Sequence, residues 1–250
     1  MEPLDADPTR RFSDRAEDYA RYRPGYPAEA IDAILAGLRP PSQLVVVDVG
    51  AGTGISTRLL ADRGPRVLAV EPNAAMRAAA AAHPRVTWVD GTAEATRLPA
   101  AAHDVAVVAQ AFHWFDAPVA VRELHRILRQ PGRLSVLWNR RSREDAFTLG
   151  YCMALEAIDG EAPAERNVFD PGVVTSTGLF TNPRTLTFHN AHALTEHELI
   201  GRAMSTSTVP RSGPRTEELL RLLHALHGRH RGADGRATMV YRTEVHLWDR

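Results

Sequence analysis

Lysine is missing altogether: all 30 basic residues of this 250-residue chain are arginines. Its absence excludes Schiff-base chemistry on a carbonyl or pyridoxal group. It also excludes the phosphate-loop and protein-kinase mechanisms that rest on a lysine. Cysteine is nearly missing too. Cys152 alone forms no intrachain disulfide and no cysteine-based zinc cluster. Its place in the apolar pattern of a helix predicts a buried small side chain rather than a nucleophile. No apolar run approaches the roughly 18 residues of a membrane span. Excess charge is also absent, since 30 acidic residues balance the arginines; this argues against nucleic acid as a partner. The opening MEPLDADPTR is acidic and carries no apolar h-region, so it predicts no secretory leader and a cytoplasmic location. No G-x-S-x-G elbow is present, which disfavours a serine hydrolase.

What is there alternates between strand and helix. Residues 44–49, LVVVDV, form a continuous β-branched run of the kind buried on both faces of a parallel sheet. Further strands are predicted at 66–71, 85–89, 104–109 and 133–138, the last entered through a turn at Pro131-Gly132. Helices are predicted at 55–63 (with Ile55, Leu59 and Leu60 on one side), at 73–82 and at 117–129. Five strands alternating with helices predict a doubly wound α/β sheet, with its ligand outside the carboxyl ends of the strands. Beyond residue 140 the rhythm changes. A helix is predicted at 145–160, with Phe147, Tyr151, Leu155 and Ile158 on one face. Two more follow near 195–204 and 215–227, and two further strands at 184–189 and 238–248. The last strand is read as alternating through Val240, Thr243, Val245 and Leu247.

The strongest local signal is Val47-Asp48-Val49-Gly50-Ala51-Gly52-Thr53-Gly54, between the first strand and its helix. Glycines here allow a tight turn and close approach of backbone to a ligand at a helix N-terminus. The dinucleotide fingerprint would need glycine at 55, where Ile55 stands; this excludes an ordinary NAD dehydrogenase. Glu71 closes the second strand about 20 residues on, where a carboxylate can accept two hydrogen bonds from ribose hydroxyls.

These residues resemble a known family. DVGAGTG followed by VLAVEP is similar to the nucleoside-binding half of class I S-adenosylmethionine-dependent methyltransferases. Gly91-Thr92-Ala93-Glu94 with Leu98-Pro99 resembles the segment that lines the adenine. Gln110-Ala111-Phe112-His113-Trp114-Phe115 resembles the type 11 subgroup, which includes trans-aconitate methyltransferase-like enzymes of small molecules. LRQPGRL at 128–134 and the leader residues Phe12, Ala16, Tyr19, Arg23, Pro24, Tyr26 and Pro27 extend the likeness. It covers about residues 10–140 well and the remainder loosely.

The resemblance implies a Rossmann-like, doubly wound, seven-stranded sheet with an antiparallel last strand. It implies an N-terminal helical lid over residues 1–40, a cofactor-binding core over 41–140, and substrate-cap helices with the final strands over 141–250. The implied cofactor is S-adenosyl-L-methionine. Its implied contacts are Tyr19, Arg23, Gly50, Gly52, Gly54, Glu71, Pro72, Thr92, Ala93 and Gln110, with Arg23 on the carboxylate of its amino-acid tail. Many relatives carry Asp where Thr92 stands, so the adenine contact is left between Thr92 and Asp90. His113 and Asp116 are candidates for accepting a proton from the methyl acceptor, or Asp116 for orienting the histidine. Trp114 and Phe115 are candidates for holding the acceptor or facing the sulfonium.

The expected acceptor is a small molecule, a natural product or aromatic metabolite, handled by a monomer or homodimer without nucleic acid or membrane. Two alternatives stand beside it: a carboxyl O-methyltransferase of a small organic acid, and a protein that binds S-adenosylmethionine without turnover. No metal is expected. His224, His227 and His230 drift around their helix, and His197-Glu198 lacks the second histidine of a zinc-protease helix, since Gly201 stands there.

Overall fold

The computed structural model describes residues 13–159 and 169–250. By its internal contacts the chain divides into two units. One holds Gly25–Asn139, Phe169–Phe188 and Thr243–Arg250; the other holds the described parts of Met1–Pro24, Arg140–Val168 and His189–Arg242.

The first unit is organised by the sheet. Strands β1 (Val45–Val49), β2 (Arg66–Val70), β3 (Val86–Val89), β4 (His103–Ala109), β5 (Leu128–Arg141), β6 (Thr181–Leu194) and β7 (Ala237–Asp249) lie in the order β3-β2-β1-β4-β5-β7-β6. The first five pair in parallel. The last strands are antiparallel: Arg250 N–H meets the Gly132 carbonyl at 2.8 Å, and Thr181 and Thr185 of β6 bond to Asp249 and His246 of β7. The predicted seven-stranded arrangement is therefore present.

Alternation along the central strands sends side chains to two separate cores. Val47, Val49, Ala106, Val108, Leu134 and Val136 pack with Ala120, Val121, Leu124 and Ile127 of helix α5 (Ala117–Ile127). Val46, Val105, Val107 and Leu137 pack with Ile31 and Ile34 of α2 (Ala28–Leu35) and with Leu60 of α3 (Ile55–Asp62). Burial on both faces explains why β1 and β4 read as unbroken apolar runs.

Some boundaries differ from the sequence expectation. Helix α4 covers only Ala74–Ala78, although alanine continues to residue 82. That run has no apolar stripe to bury, and intrinsic propensity without packing does not hold a short helix. Helix α5 stops at Ile127, and β5 begins at Leu128 instead of residue 133. Pro131-Gly132 is an irregularity inside the strand, where the pairing shifts between His103 and Val105, rather than a turn before it. The inner face of α3 carries Ser56, Thr57, Leu60 and Ala61; Ile55 and Leu59 are half-buried. In β7 the fully buried phase runs through Ala237, Met239 and Tyr241 to Thr243, Val245 and Leu247, with Val240 half-buried.

The second unit has its own core. Phe147, Tyr151, Leu155 and Ile158 of α6 (Ala146–Asp159) pack with Leu199 and Ala203 of the helix Glu196–Met204 and with Leu219, Leu223 and Leu226 of the helix Pro214–His230. The predicted face of α6 is the buried one. Cys152 is buried, as its position in that pattern predicts. Gly201 lies against the ring of Tyr22, so closely that an added Cβ would sit 2.4 Å from it. His197 bonds to the Tyr22 hydroxyl at 2.9 Å, and His227 to the Leu194 carbonyl at 3.1 Å.

The helix Glu196–Met204 starts in a capping box: Thr195 Oγ1 accepts from Glu198 N–H, and the Glu198 carboxylate accepts from Thr195 N–H at 2.8 Å. Thr195→Ala is expected to lower stability by about 1 kcal/mol, read as a shift of the urea midpoint without a change of slope.

Candidate functional site

The carboxyl ends of β1, β2 and β4 converge on the glycine loop. After Val49 the chain passes through Gly50, Gly52 and Gly54, with φ of +70°, +58° and +75°, before α3 begins. Space as well as conformation requires the first and last of these glycines. A Cβ on Gly50 would lie 2.7 Å from the Ala111 methyl and 3.1 Å from the Phe115 ring; one on Gly54 would lie 3.1 Å from the Trp88 ring. The loop after β4, with Phe115, is thus packed directly on the loop after β1.

Glu71 is the other fixed point. Its Oε2 accepts the Gly52 N–H at 2.9 Å and its Oε1 accepts the Asn73 N–H at 2.9 Å. Two main-chain donors lock the carboxylate at the end of β2, and each oxygen keeps acceptor capacity for a further donor. Burial raises its pKa, against the lowering effect of these two bonds. Pro72 follows directly. Next comes Asn73, whose side chain caps α4 by accepting from Ala75 and Met76.

Beneath the loop, Asp48 is fully buried. Its Oδ2 accepts from Ser56 Oγ at 2.8 Å and from Thr57 Oγ1 at 2.6 Å. Its Oδ1 and the Thr53 hydroxyl are buried and meet no hydrogen-bond partner among the described residues. Buried polar atoms without partners are uncommon in a folded protein. A close backbone cradle, an oriented carboxylate and these orphan oxygens together suit a ligand that brings a vicinal diol and further donors.

On the adjacent side, Ala93 is buried in the core under α5, with Trp114 and Phe115 packed against the same cluster. The Thr92 hydroxyl accepts from Ala95 N–H at 3.2 Å. Asp90 is 60% exposed and faces Arg77 at 3.6 Å, so it is engaged away from Thr92. The Glu94 carboxylate accepts Asp116 N–H at 2.9 Å and ties this segment to the loop after β4.

That loop starts with Gln110, which holds the left-handed φ of +54°, uncommon for a residue with a side chain. Its amide exchanges bonds with the main chain of Asn139, accepting from the N–H at 2.8 Å and donating to the carbonyl at 3.5 Å. Asn139 in turn donates to the Gly25 carbonyl at 3.1 Å and accepts from Thr243 Oγ1 at 2.5 Å. The strained residue is therefore clamped from three segments. His113 sits in a single turn, Phe112–Trp114, with its ring 4.6 Å from that of Trp114 and 5.4 Å from that of Trp138. The Asp116 carboxylate caps α5, accepting from Val119 N–H at 3.3 Å.

Tyr19 and Arg23 belong to the second unit. The guanidinium of Arg23 lies 4.6 Å from the centre of the Tyr19 ring, and it donates to Ser205 Oγ and to the Ser205 carbonyl. Gly50, Gly52, Gly54, Glu71, Pro72, Thr92, Ala93, Gln110, His113, Trp114, Phe115 and Asp116 lie in the first unit, at the strand ends. Sequence reading missed Ser56, Thr57 and Asn139. The only signal for the first pair was two hydroxyl residues entering a helix just after a buried aspartate; nothing local marks Asn139.

Residues 47–136 match a family model described as a methyltransferase domain. The chain is 41% identical over 150 residues to an uncharacterized methyltransferase of Mycobacterium bovis, covering 60% of this chain and 58% of that protein. It is 35% identical over 120 residues to a trans-aconitate 2-methyltransferase of Azoarcus, covering 46% and 47%. A solved structure from Anabaena variabilis, provisionally described as a methyltransferase from an antibiotic biosynthesis pathway, is 25% identical with a TM-score of 0.66, over 90% of this chain and 98% of that one. The chain spans little more than half the length of the curated relatives it matches first. No helix among the described residues is long and apolar enough to cross a membrane.

One electrostatic consequence of the glycine loop can be measured on the protein alone. Burial raises the Asp48 carboxyl from 3.8 to about 6, against the lowering effect of the Thr57 and Ser56 hydroxyls. The folded state then binds this proton more tightly than the unfolded state does. The stability from that protonation is fully present below about pH 4 and is lost as pH rises through about 6. Asp48→Asn is therefore expected to gain stability relative to wild type as pH rises across that window, read from urea midpoints at pH 4.5 and 7.5. A constant difference between the two proteins would remove Asp48 as a titrating group.

Proposed function

We propose that this chain transfers a methyl group from S-adenosyl-L-methionine to a small-molecule acceptor. The observation that carries the reading is the Glu71 carboxylate, held by Gly52 and Asn73 N–H groups at the end of β2 beside a glycine loop with no room for side chains. A carboxylate so placed accepts both hydroxyls of a ribose. The loop glycines let the main chain approach the adenosine and its tail, with Pro72, Thr92, Ala93 and Gln110 completing the enclosure. Buried Ala93 offers an apolar surface to a base, and the Thr92 hydroxyl keeps a second lone pair for the adenine amino group. The engagement of Asp90 by Arg77 favours Thr92 for that contact.

The bound cofactor supplies an electrophilic methyl on a sulfonium, displaced in line. The protein's part is positioning and exclusion of water. Trp114 and Phe115, packed on the core below α5, hold the acceptor and keep water out. His113 accepts the proton that the acceptor's nucleophile releases. Asp116 is less suited to that step, because its carboxylate is engaged with the first turn of α5. The relative from Anabaena supports a natural-product acceptor, and the one from Azoarcus supports a small organic acid, whose product would be a methyl ester.

The deciding experiment is a calorimetric titration with S-adenosylhomocysteine, with NAD as the control. Micromolar binding of the thioether alone is expected. No binding by folded protein would overturn the reading. Labelled S-adenosylmethionine with a metabolite panel then separates turnover from binding alone.

A further inference from the structure

The second unit gathers charge of one sign. Arg202, on the helix Glu196–Met204, is 4% exposed, and its Nε and Nη1 are buried with no hydrogen-bond partner among the described residues. Burial lowers its pKa, but the neighbouring Tyr241 and Tyr151 outweigh that and raise it. Arg141 lies with its guanidinium 5.2 Å from the centre of the Tyr151 ring; its Nε and the fully buried Tyr151 hydroxyl are also without partners among the described residues. Arg23 completes the group over Tyr19. Burial, then repulsion from Arg202 and Arg141, holds Arg23 down to about 10, although Tyr19 and Tyr151 act the other way. Among the described residues, no carboxylate ranks with the groups acting most strongly on Arg23 or on Arg202.

Arginine is almost never buried without a counter-charge, and an uncompensated buried cation is strongly destabilising. Elsewhere in this chain a buried arginine and a half-buried one find theirs: Arg133 faces Asp249, and Arg129 faces Asp104. A cluster of three arginines among three tyrosines, with orphan N–H and O–H donors, is a ready anion site. Its donors match a planar carboxylate, and its rings match an aromatic or unsaturated body.

We propose that Arg202 and Arg141, with Tyr151, bind the carboxylate group of a small-molecule ligand, a reading that does not depend on methyl transfer. Sequence reading missed Arg141, Tyr151, Arg202 and Tyr241. The available signal was Arg202 standing on the same helical face as Leu199 and Ala203.

The test uses the full chain and four probes: benzoate and succinate, with benzamide and succinamide as their uncharged counterparts. Binding is followed by calorimetry and by thermal shift. Millimolar or tighter binding of a carboxylate, with at least a fivefold preference over its amide, is expected. Arg202→Met and Arg141→Gln should each remove that preference. Because Arg202→Met also removes a buried charge that faces no carboxylate among the described residues, its melting temperature without ligand should equal or exceed that of wild type, which loss of a purely structural arginine would not produce. Affinity for S-adenosylhomocysteine should stay unchanged in both variants.

The proposal is overturned if wild type does not prefer carboxylates, or if both variants keep the preference. It is also overturned if either variant loses affinity for S-adenosylhomocysteine but not for methylthioadenosine, which lacks the amino-acid tail; the cluster would then hold the cofactor's own carboxylate. Carboxylate binding in a protein that ignores S-adenosylhomocysteine would sink the methyl-transfer reading and leave the anion site standing. The reverse result would do the opposite.

Discussion

Replacing Glu71 with alanine is expected to weaken S-adenosylhomocysteine binding by about 10- to 100-fold, the loss of 1.4 to 2.8 kcal/mol. Two effects add. A charge-assisted bond to a hydroxyl contributes about 1.5–3 kcal/mol, and here one carboxylate faces a diol. The substitution also strips the Gly52 and Asn73 N–H groups of their acceptors, so the glycine loop loses the anchor that holds it against β2. Calorimetry on folded variant, checked by circular dichroism, reads the effect. Glu71→Gln should fall between the two proteins, because its amide keeps one acceptor but turns an N–H toward a main-chain donor. An unchanged dissociation constant for Glu71→Ala would remove this residue from the site and take the ribose contact with it.

The second large effect is expected at Gly50. Valine there would place its Cβ 2.7 Å from the Ala111 methyl and 3.1 Å from the Phe115 ring, at a φ of +70°. Left-handed backbone costs a residue with a side chain about 1–2 kcal/mol, and overpacking about 1–3 more. For a chain of this size that total lowers the melting temperature by about 5–15 °C. Because the displaced loop after β4 carries His113 and Phe115, Gly50→Val should also abolish binding of S-adenosylhomocysteine. Gly37→Ala separates the two terms: its φ is +74°, yet nothing lies within 4 Å of the added Cβ. That variant should show the backbone term alone and bind the thioether like wild type. Equal melting temperatures for Gly50→Val and wild type would show that the loops after β1 and β4 are not packed as described.

Much of this domain is legible without coordinates, for a local reason. Strands buried on both faces are apolar at nearly every position, so LVVVDV and DVAVVA announce β1 and β4 directly. A turn that brings backbone to a ligand must use glycine, so Gly50, Gly52 and Gly54 are visible in their spacing. Glu71 is visible because it closes the next strand. Helix α6 showed its buried face in a period of three to four residues. Where reading by eye failed, something non-local had decided. The alanines after residue 78 have every local reason to be helical and none to pack. Pro131-Gly132 reads as a turn, yet the sheet carries the strand through it.

The site divides in the same way. The sequence by itself determined the kind of sheet, the loop that a nucleoside can approach and the carboxylate beside it, because each of these depends on residues within a few positions of one another. Only the tertiary structure decided that Gln110 is clamped by Asn139, that Asp116 serves α5, and that Arg23, Arg141 and Arg202 share one neighbourhood. Those three arginines are far apart in the chain, and no local pattern links them. Their meaning comes from burial and from mutual proximity, which are properties of the folded chain and of no single segment.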